Sequence, residues 1–306
     1  MNPKRIILAG GSGFLGNALA KALVARQYEV VVLTRSPRHR KDGVIEAEWD
    51  GVHVGEWIKY LEGAEAIVNL TGRNVNCPHT PENLREILES RVNSVRAIAL
   101  AFGHVKHPPR VWVQASATGF YGDTKDRLCT ENVFAGSDNL AKVCAQWENA
   151  FNSVDAPHLR RVVLRIGFVL GRESGALPVL ARLTKWFLGG SVGDGKQFIS
   201  WIHVADLTQM FLAAIEREDL SGTFNAVAPN PVTNREFMRE LRQALHRPWS
   251  PPAPVFAVRL GARLMGSEPS LALTSQRCAP NHFLAAGFEF RFPELKPALA
   301  DLCRKI

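Results

Sequence analysis

The fold is decided by residues 4–16, which read Lys4-Arg5-Ile6-Ile7-Leu8-Ala9-Gly10-Gly11-Ser12-Gly13-Phe14-Leu15-Gly16. An apolar segment of β type runs directly into three glycines spaced G-x-x-G-x-x-G, and an alanine-rich helical pattern follows over residues 17–26. This order predicts a tight turn between a first strand and a first helix. Because backbone N–H groups meet the positive end of the helix dipole there, we expect the turn to bind the pyrophosphate of a dinucleotide.

Each glycine of the turn is predicted to have a different structural role. Gly10 allows the turn, Gly13 lets a phosphate approach the backbone, and Gly16 lets the helix pack on the sheet. A structural glycine turn without a ligand is the alternative interpretation. The residues predicted to line the pyrophosphate are Gly10, Ser12, Gly13, Phe14, Leu15 and Gly16.

A second predicted strand, residues 28–34, ends in Thr34-Arg35-Ser36. In folds that prefer NAD, an acidic residue near this point bonds the ribose hydroxyls, whereas an arginine accommodates a 2′-phosphate. A guanidinium forks onto phosphate and can stack on adenine. We therefore expect Arg35 to bind the adenosine 2′-phosphate of NADP, with help from Thr34 or Arg38.

The rest of the chain continues the alternation of strands and helices. This alternation predicts an α/β fold, a Rossmann-like doubly wound parallel sheet with a smaller, mostly helical C-terminal lobe. Residues 1–170 are the predicted NADP-binding domain, with residues 200–230 returning to it. The predicted substrate or partner lobe comprises residues 171–199 and 231–306. Further strands are predicted at residues 44–49, 66–70, 110–115 and 161–166.

Composition narrows the class of protein. Of the 306 residues, 46% are hydrophobic, yet no apolar run approaches the ~18 residues of a membrane span. The net charge of +8 makes nucleic acid an alternative partner, but the basic residues are spread along the chain without a basic–aromatic stripe. We expect neither a nucleic acid nor a membrane as partner, and a small molecule of unidentified class as substrate.

The five cysteines are scattered and odd in number, and none forms a C-x-x-C motif. This usage predicts reduced thiols, a cytoplasmic location and no metal site. A first strand that begins at about residue 4 predicts that no signal or transit peptide precedes it.

One helix is predicted to border the ligand cleft. Thr80 is its expected N-cap, followed by Pro81 in the first turn. Arg91 lies four residues after Ile87 and four before Val95, so it falls on the apolar face of that helix. Its guanidinium either reaches out to solvent along that face or faces the cofactor cleft.

Long-range landmarks resemble the extended short-chain dehydrogenase/reductase superfamily, within the NAD-dependent epimerase/dehydratase group. They are the glycine turn, Ser116 with the Tyr121-Gly122 pair, and residues 164–171, 193–197 and 201–206. The match is closer to epimerase-family proteins of the 39U type through residues 69–72 (NLTG), Trp147-Glu148 and residues 275–295. The resemblance implies NADP as cofactor.

The resemblance also implies contacts to that cofactor beyond the glycine turn. Leu70 and Thr71, at the carboxyl edge of the fourth strand, would touch its adenosine side. Glu86 and Arg91 would reach it from their helix, and Val169 would pack near the nicotinamide.

The chain departs from the superfamily where proton transfer is expected. Its members use a Tyr-x-x-x-Lys pair, and the corresponding positions here hold Leu140 and Cys144. Ser116 is present, and Tyr121 is the tyrosine in the right segment, so these two are the predicted catalytic residues. Two functions stay open: an atypical NADP(H)-dependent oxidoreductase, and an NADP(H)-binding sensor or regulatory protein without turnover.

Overall fold

The computed structural model describes residues 3–304, and its main feature is a seven-stranded parallel sheet. The strand order is β10-β6-β5-β4-β1-β2-β3, so the direction of winding reverses beside β1. Two small sheets pair β7 with β9 and β8 with β11. The strands are β1 (Arg5–Ala9), β2 (Glu29–Thr34), β3 (Ile45–Glu48), β4 (Ala66–Asn69), β5 (Val111–Ala117), β6 (Arg160–Ile166), β7 (Phe168–Leu170), β8 (Phe198–Ile199), β9 (Trp201–His203), β10 (Gly222–Ala226) and β11 (Val232–Thr233).

Helices cover the sheet, which confirms the predicted Rossmann-like α/β class. Helix α1 contacts α5, and α2 contacts α3, giving a helical layer on each face. Short 3₁₀ turns occupy Glu56–Tyr60 and Thr118–Tyr121. The α-helices are α1 (Phe14–Ala25), α2 (Pro81–Phe102), α3 (Asn139–Asn152), α4 (Leu177–Lys185), α5 (Val204–Glu216), α6 (Asn234–Ala244), α7 (Val255–Leu264), α8 (Ser270–Leu273), α9 (Asn281–Ala285) and α10 (Leu295–Cys303).

The apolar side chains form one large core and a second, smaller cluster. The central strands β1, β2 and β4 are buried almost throughout, as continuous apolar runs in a parallel sheet require. The second cluster joins β7, α6 and α10. The domain boundaries predicted from the sequence stay a prediction. None of the helices in residues 3–304 is long and apolar enough to cross a membrane.

Two element boundaries differ by more than one residue from the sequence-based expectation. Helix α1 begins at Phe14 rather than Asn17, because Gly13 in extended conformation already serves as its N-cap. Strand β5 continues to Ala117 rather than Ala115, pairing along β6, so Ser116 lies within the strand and not after it. The predicted N-cap of α2 is confirmed, since the Thr80 hydroxyl accepts a hydrogen bond from the Asn83 N–H.

Close packing explains two glycines of the turn. Gly10 has a φ of +70°, and an added Cβ would lie 2.8 Å from the Thr71 hydroxyl oxygen. A Cβ on Gly16 would overlap the carbonyl group of Gly11, so the first helical turn packs against its own entry loop rather than only on the sheet. Gly13 differs from both, because its Cβ would meet no atom within 4 Å.

We predict that Gly16→Ala lowers the free energy of unfolding by about 1–3 kcal/mol, although alanine is the better helix former. The added methyl group must displace backbone at Gly11. Gly13→Ala is the matched control, because at a φ of −83° alanine fits without strain, and its unfolding free energy should stay within about 0.5 kcal/mol of the parent. Urea denaturation of both variants measures the difference. Equal stabilities would show that the turn is not packed as described.

Candidate functional site

Three loops meet at the carboxyl edge of the sheet, where the winding reverses. Gly10 contacts Thr71, which follows β4. The Phe14 ring lies against Gly171 and near Gly175, both beyond β7. The glycine turn is therefore packed between the loop after β4 and the segment that carries half-buried Val169. Open α/β sheets bind ligands at this point.

The beginning of α1 is built to receive an anion. In the described part of the chain no side chain caps Gly13, and the first turn of this helix contains no acidic residue. Its N–H groups and the helix dipole are thus uncompensated. Ser12 and Gly13 are exposed, and the open side of Gly13 leaves room for a ligand. Leu15 and Gly16 continue from this loop into the helix.

The Thr71 side chain is a second unsatisfied group at this edge. Its hydroxyl is buried against Gly10 and has no hydrogen-bond partner within residues 3–304. The Thr71 N–H is bonded to the Asn69 side chain at 3.0 Å, and the Leu70 N–H to the Ala9 carbonyl at 2.8 Å, so the backbone here is fixed. A buried hydroxyl without a partner is costly unless a ligand completes it.

The cations after β2 are not equivalent. Arg40 is bound by both Asp42 and Glu46, and the hydrogen bond from Arg40 to Asp42 raises the pKa of this guanidinium. Arg35 is exposed, directly after β2, and makes no hydrogen bond or ion pair with any described residue. Beside it the Thr34 hydroxyl donates to Ser12 Oγ at 3.2 Å. Arg35 is therefore a cation that stays available next to the glycine turn, and so is exposed Arg38, which bonds Glu46 through its backbone N–H and not through its side chain.

Arg91 faces the loop after β4 rather than solvent. Its Nη1 donates to the carbonyl oxygens of Arg73 (3.0 Å) and Ile87 (2.9 Å), and its Cζ would lie 2.9 Å from a Cβ on Gly72. The guanidinium also lies 5.1 Å from the centre of the Trp147 ring. Burial lowers its pKa. Since no carboxylate of residues 3–304 lies within 4 Å of it, its charge is uncompensated.

Glu86 is not part of this cluster. The residue is exposed on α2 and forms an ion pair with Arg73, whose Nη2 donates to Asn83 at 3.0 Å. Glu86 is thus linked to the loop after β4 only through Arg73. Its predicted cofactor contact stays a prediction.

Ser116 is held in a buried network. Its hydroxyl donates to Glu148 Oε1 at 2.6 Å, and Arg165 binds both oxygens of that carboxylate at 2.9 and 2.8 Å. The three side chains are each less than 10% exposed. The two opposite charges, paired in bidentate geometry, satisfy each other away from water. The Ser116 hydrogen is therefore committed to Glu148.

The Tyr121 hydroxyl belongs to the same network. It donates to Asn225 Oδ1 at 2.7 Å and accepts from Arg165 Nη1 at 2.9 Å. Burial raises its pKa, despite the neighbouring guanidinium. A proton donor that is a weaker acid than usual and already bonded twice is poorly suited to catalysis. The catalytic roles of Ser116 and Tyr121 stay predictions, and the geometry gives both hydroxyls a structural role.

Gly119 lies close to the residues at the positions of the missing pair. A Cβ on Gly119 would lie 3.8 Å from Cys144 Sγ and 4.0 Å from Leu140 Cβ. Burial raises the pKa of the Cys144 thiol to about 12, so it stays protonated. Neither side chain supplies a charge or a transferable proton at neutral pH.

Sequence reasoning missed Gln276, which comes close to Gly119 from the C-terminal segment. Its Oε1 accepts from the Thr118 hydroxyl at 2.6 Å, which turns its Nε2 toward Gly119, 3.9 Å from a Cβ built there. This amide is a hydrogen-bond donor that lies, like Leu140 and Cys144, close to Gly119. The motif Ser275-Gln276-Arg277 was the one signal in the sequence, but nothing local to it indicated a neighbour 158 residues away.

Within residues 3–304, no group of three or more His, Cys, Asp or Glu side chains is arranged so that it could hold a metal ion.

The sheet order and the glycine turn at the switch point define a Rossmann-like α/β protein. The chain belongs to the NAD-dependent epimerase/dehydratase family, whose model matches residues 6–226. A second model, a domain of unknown function (DUF1731), matches residues 253–302. The resemblance predicted from the sequence is thereby confirmed.

Individual relatives match nearly the whole chain. Epimerase family protein YfhF of Bacillus subtilis is 32% identical over 307 residues, with 97% of each chain covered. The chloroplastic SDR39U1 homolog of Arabidopsis thaliana is 32% identical over 299 residues, covering 96% of this chain and 85% of that one. The human epimerase family protein SDR39U1 (isoform 2), crystallised with NADPH, is 31% identical with a TM-score of 0.88, covering 99% of this chain and 100% of that one.

We predict that Tyr121→Phe lowers the free energy of unfolding by about 1–3 kcal/mol, because Asn225 and Arg165 lose a buried partner. Tyr28→Phe is the control, since that hydroxyl makes one exposed bond, to Glu216 at 3.3 Å. Chemical denaturation near neutral pH measures both. A loss no larger for position 121 than for position 28 would remove the structural role assigned to Tyr121.

Proposed function

We propose that this protein binds NADP(H) in preference to NAD(H) at the carboxyl edge beside β1. The observation that carries the proposal is Arg35, an exposed and unpaired cation directly after β2, where NAD-preferring folds need an acid. The crystal structure of the human relative contains NADPH, which supports the same preference for NADP(H). The family name mentions NAD, but the residue at this position favours a 2′-phosphate.

The chain's own residues fit the parts of that nucleotide. The N–H groups at the start of α1 would bind the pyrophosphate. Arg35 would hold the 2′-phosphate. Arg91 would place its uncompensated charge near the same ligand, behind Gly72. When bound, the nicotinamide ring supplies or accepts a hydride.

For the chemistry we propose an atypical oxidoreductase acting on an unidentified small molecule. The Gln276 amide, which lies beside Gly119, would bind a substrate oxygen in place of a tyrosine hydroxyl. An amide orients a carbonyl but does not give up a proton, so water or the substrate must supply it. A positioned general acid raises the rate about 10²–10⁴-fold. Without one, we expect turnover to be slower by that factor than in an enzyme that has such a group.

A second candidate is a protein that holds NADP(H) and reports it to a partner without turnover. Leu140 and Cys144, together with the commitment of Ser116 to Glu148, favour this candidate. We place either function in the cytoplasm, because each of the five cysteines is a free thiol, as expected in a reducing compartment.

We predict that Arg35→Ala weakens NADPH binding about 10- to 100-fold and leaves NADH binding unchanged, because only NADPH carries the charged group that this residue binds. Arg96→Ala, another exposed arginine but on the outer side of α2, should change neither affinity. Fluorescence titration of both nucleotides measures the ratio. Equal affinities in the parent protein, or an unchanged ratio in Arg35→Ala, would contradict the proposal.

We predict a separate outcome for turnover. If the protein is an oxidoreductase, NADPH consumption with a panel of aldehydes and ketones should be slow and should fall at least tenfold in Gln276→Ala, with NADPH affinity retained. Ser116→Ala and Tyr121→Phe should lower the free energy of unfolding. Their main effect should be on this stability and not on the rate measured on folded protein. No consumption with any compound, at full NADPH affinity, would favour the sensor. Consumption that depends on Tyr121 in folded protein would restore its predicted catalytic role.

A further inference from the structure

An outward face of the C-terminal half exposes large apolar side chains that belong to no core. They lie in two segments, residues 177–192 and 244–267. We call this surface the aromatic–basic face. Its apolar members are Trp186 (75% exposed), Phe187, Leu188, Trp249 (72%), Phe256 (74%), Leu260, Leu264 (81%) and Met265. Single exposed apolar residues are ordinary, but a cluster of this size marks an interaction surface.

Backbone hydrogen bonds hold the end of the first segment beside the second. The Gly193 N–H donates to the Ala253 carbonyl at 2.9 Å, and the Ala253 N–H donates to the Ser191 carbonyl at 2.8 Å. A side-chain contact also links the two segments, since the Arg247 guanidinium lies 5.6 Å from the centre of the Phe187 ring. The end of α4 and the chain leading into α7 therefore lie side by side.

Helix α7 turns its apolar stripe away from the protein. Phe256, Leu260 and Leu264 recur every four residues, so they share one side of the helix, and all three are exposed. Ala262 is its buried residue. Arginines at positions 259 and 263 are exposed and flank the stripe on the same side, at 100° per residue. The helix is therefore amphipathic, and its apolar side faces solvent.

The charged residues of the two segments are all basic. The two segments contain no Asp or Glu, while their basic residues are Arg182, Lys185, Arg247, Arg259 and Arg263. A second copy related by a twofold axis would bring the same cations together, which disfavours self-association. Exposed tryptophan, phenylalanine and leucine combined with arginine suit a surface that is anionic outside and apolar beneath.

We propose that the aromatic–basic face binds the surface of a lipid bilayer that contains anionic headgroups. The apolar stripe of α7 and the tryptophans enter the headgroup boundary, and the flanking cations bind the headgroups. The sequence-based expectation of no membrane partner rested on the lack of a spanning run, and a helix that lies on the surface needs none.

The test is vesicle co-sedimentation of the full chain. The vesicles are phosphatidylcholine alone, or an equimolar mixture with phosphatidylglycerol, each at low and at raised salt. The parent protein should sediment with the anionic vesicles at low salt and be released by salt. Leu260→Glu/Leu264→Glu should lose about tenfold or more in binding, and Arg259→Gln/Arg263→Gln about tenfold. Leu100→Glu, an exposed leucine on α2, is the matched control and should bind like the parent.

Two results would overturn the proposal. One is a parent protein that fails to sediment with anionic vesicles at low salt. The other is undiminished binding of folded Leu260→Glu/Leu264→Glu, with folding checked by circular dichroism. Analytical ultracentrifugation without lipid adds a third reading. Concentration-dependent self-association that is lost in the same variant, together with no vesicle binding, would assign the face to a second copy and also overturn it.

Discussion

The close approach of Gly10 to Thr71 is the constraint on which the site depends. No side chain fits between them, because a Cβ at position 10 would lie 2.8 Å from Thr71 and the local φ is positive. This contact joins the end of β1 to the end of β4, beside the point where winding reverses. The uncapped start of α1, the buried Thr71 hydroxyl and Arg35 all lie at this edge, because β1, β2 and β4 are neighbouring parallel strands.

A second constraint is the burial of Arg165. Removing a guanidinium from water is costly, and this chain offsets it with Glu148, Tyr121 and the backbone carbonyl of Glu131. The Glu148 carboxylate of this arrangement also accepts the hydrogen bond of the Ser116 hydroxyl. Ser116 and Tyr121, the predicted catalytic residues, therefore stabilise the junction of β5, β6 and β10. The hydrogen bonds of Ser116 and Tyr121 are thus used inside the fold, while the nucleotide cleft beside β1 is a separate feature of the structure.

The sequence predicted those features that are encoded locally. The glycine turn, the N-cap at Thr80 and the parallel class of the sheet follow from neighbouring residues, and the structure bears them out. The start of α1 was predicted three residues too late, because the capping role of Gly13 is not visible in the apolar pattern. The partners of Ser116 and of Thr118 could not be predicted, since Glu148 and Gln276 reach them over 32 and 158 residues of chain.

A crystal structure of the protein with NADPH tests the central claim most directly. We expect the pyrophosphate within about 2.7–3.2 Å of the N–H groups that begin α1, and the 2′-phosphate in contact with the Arg35 guanidinium. A nucleotide bound away from the glycine turn, or one whose 2′-phosphate points into solvent with Arg35 unengaged, would contradict that claim.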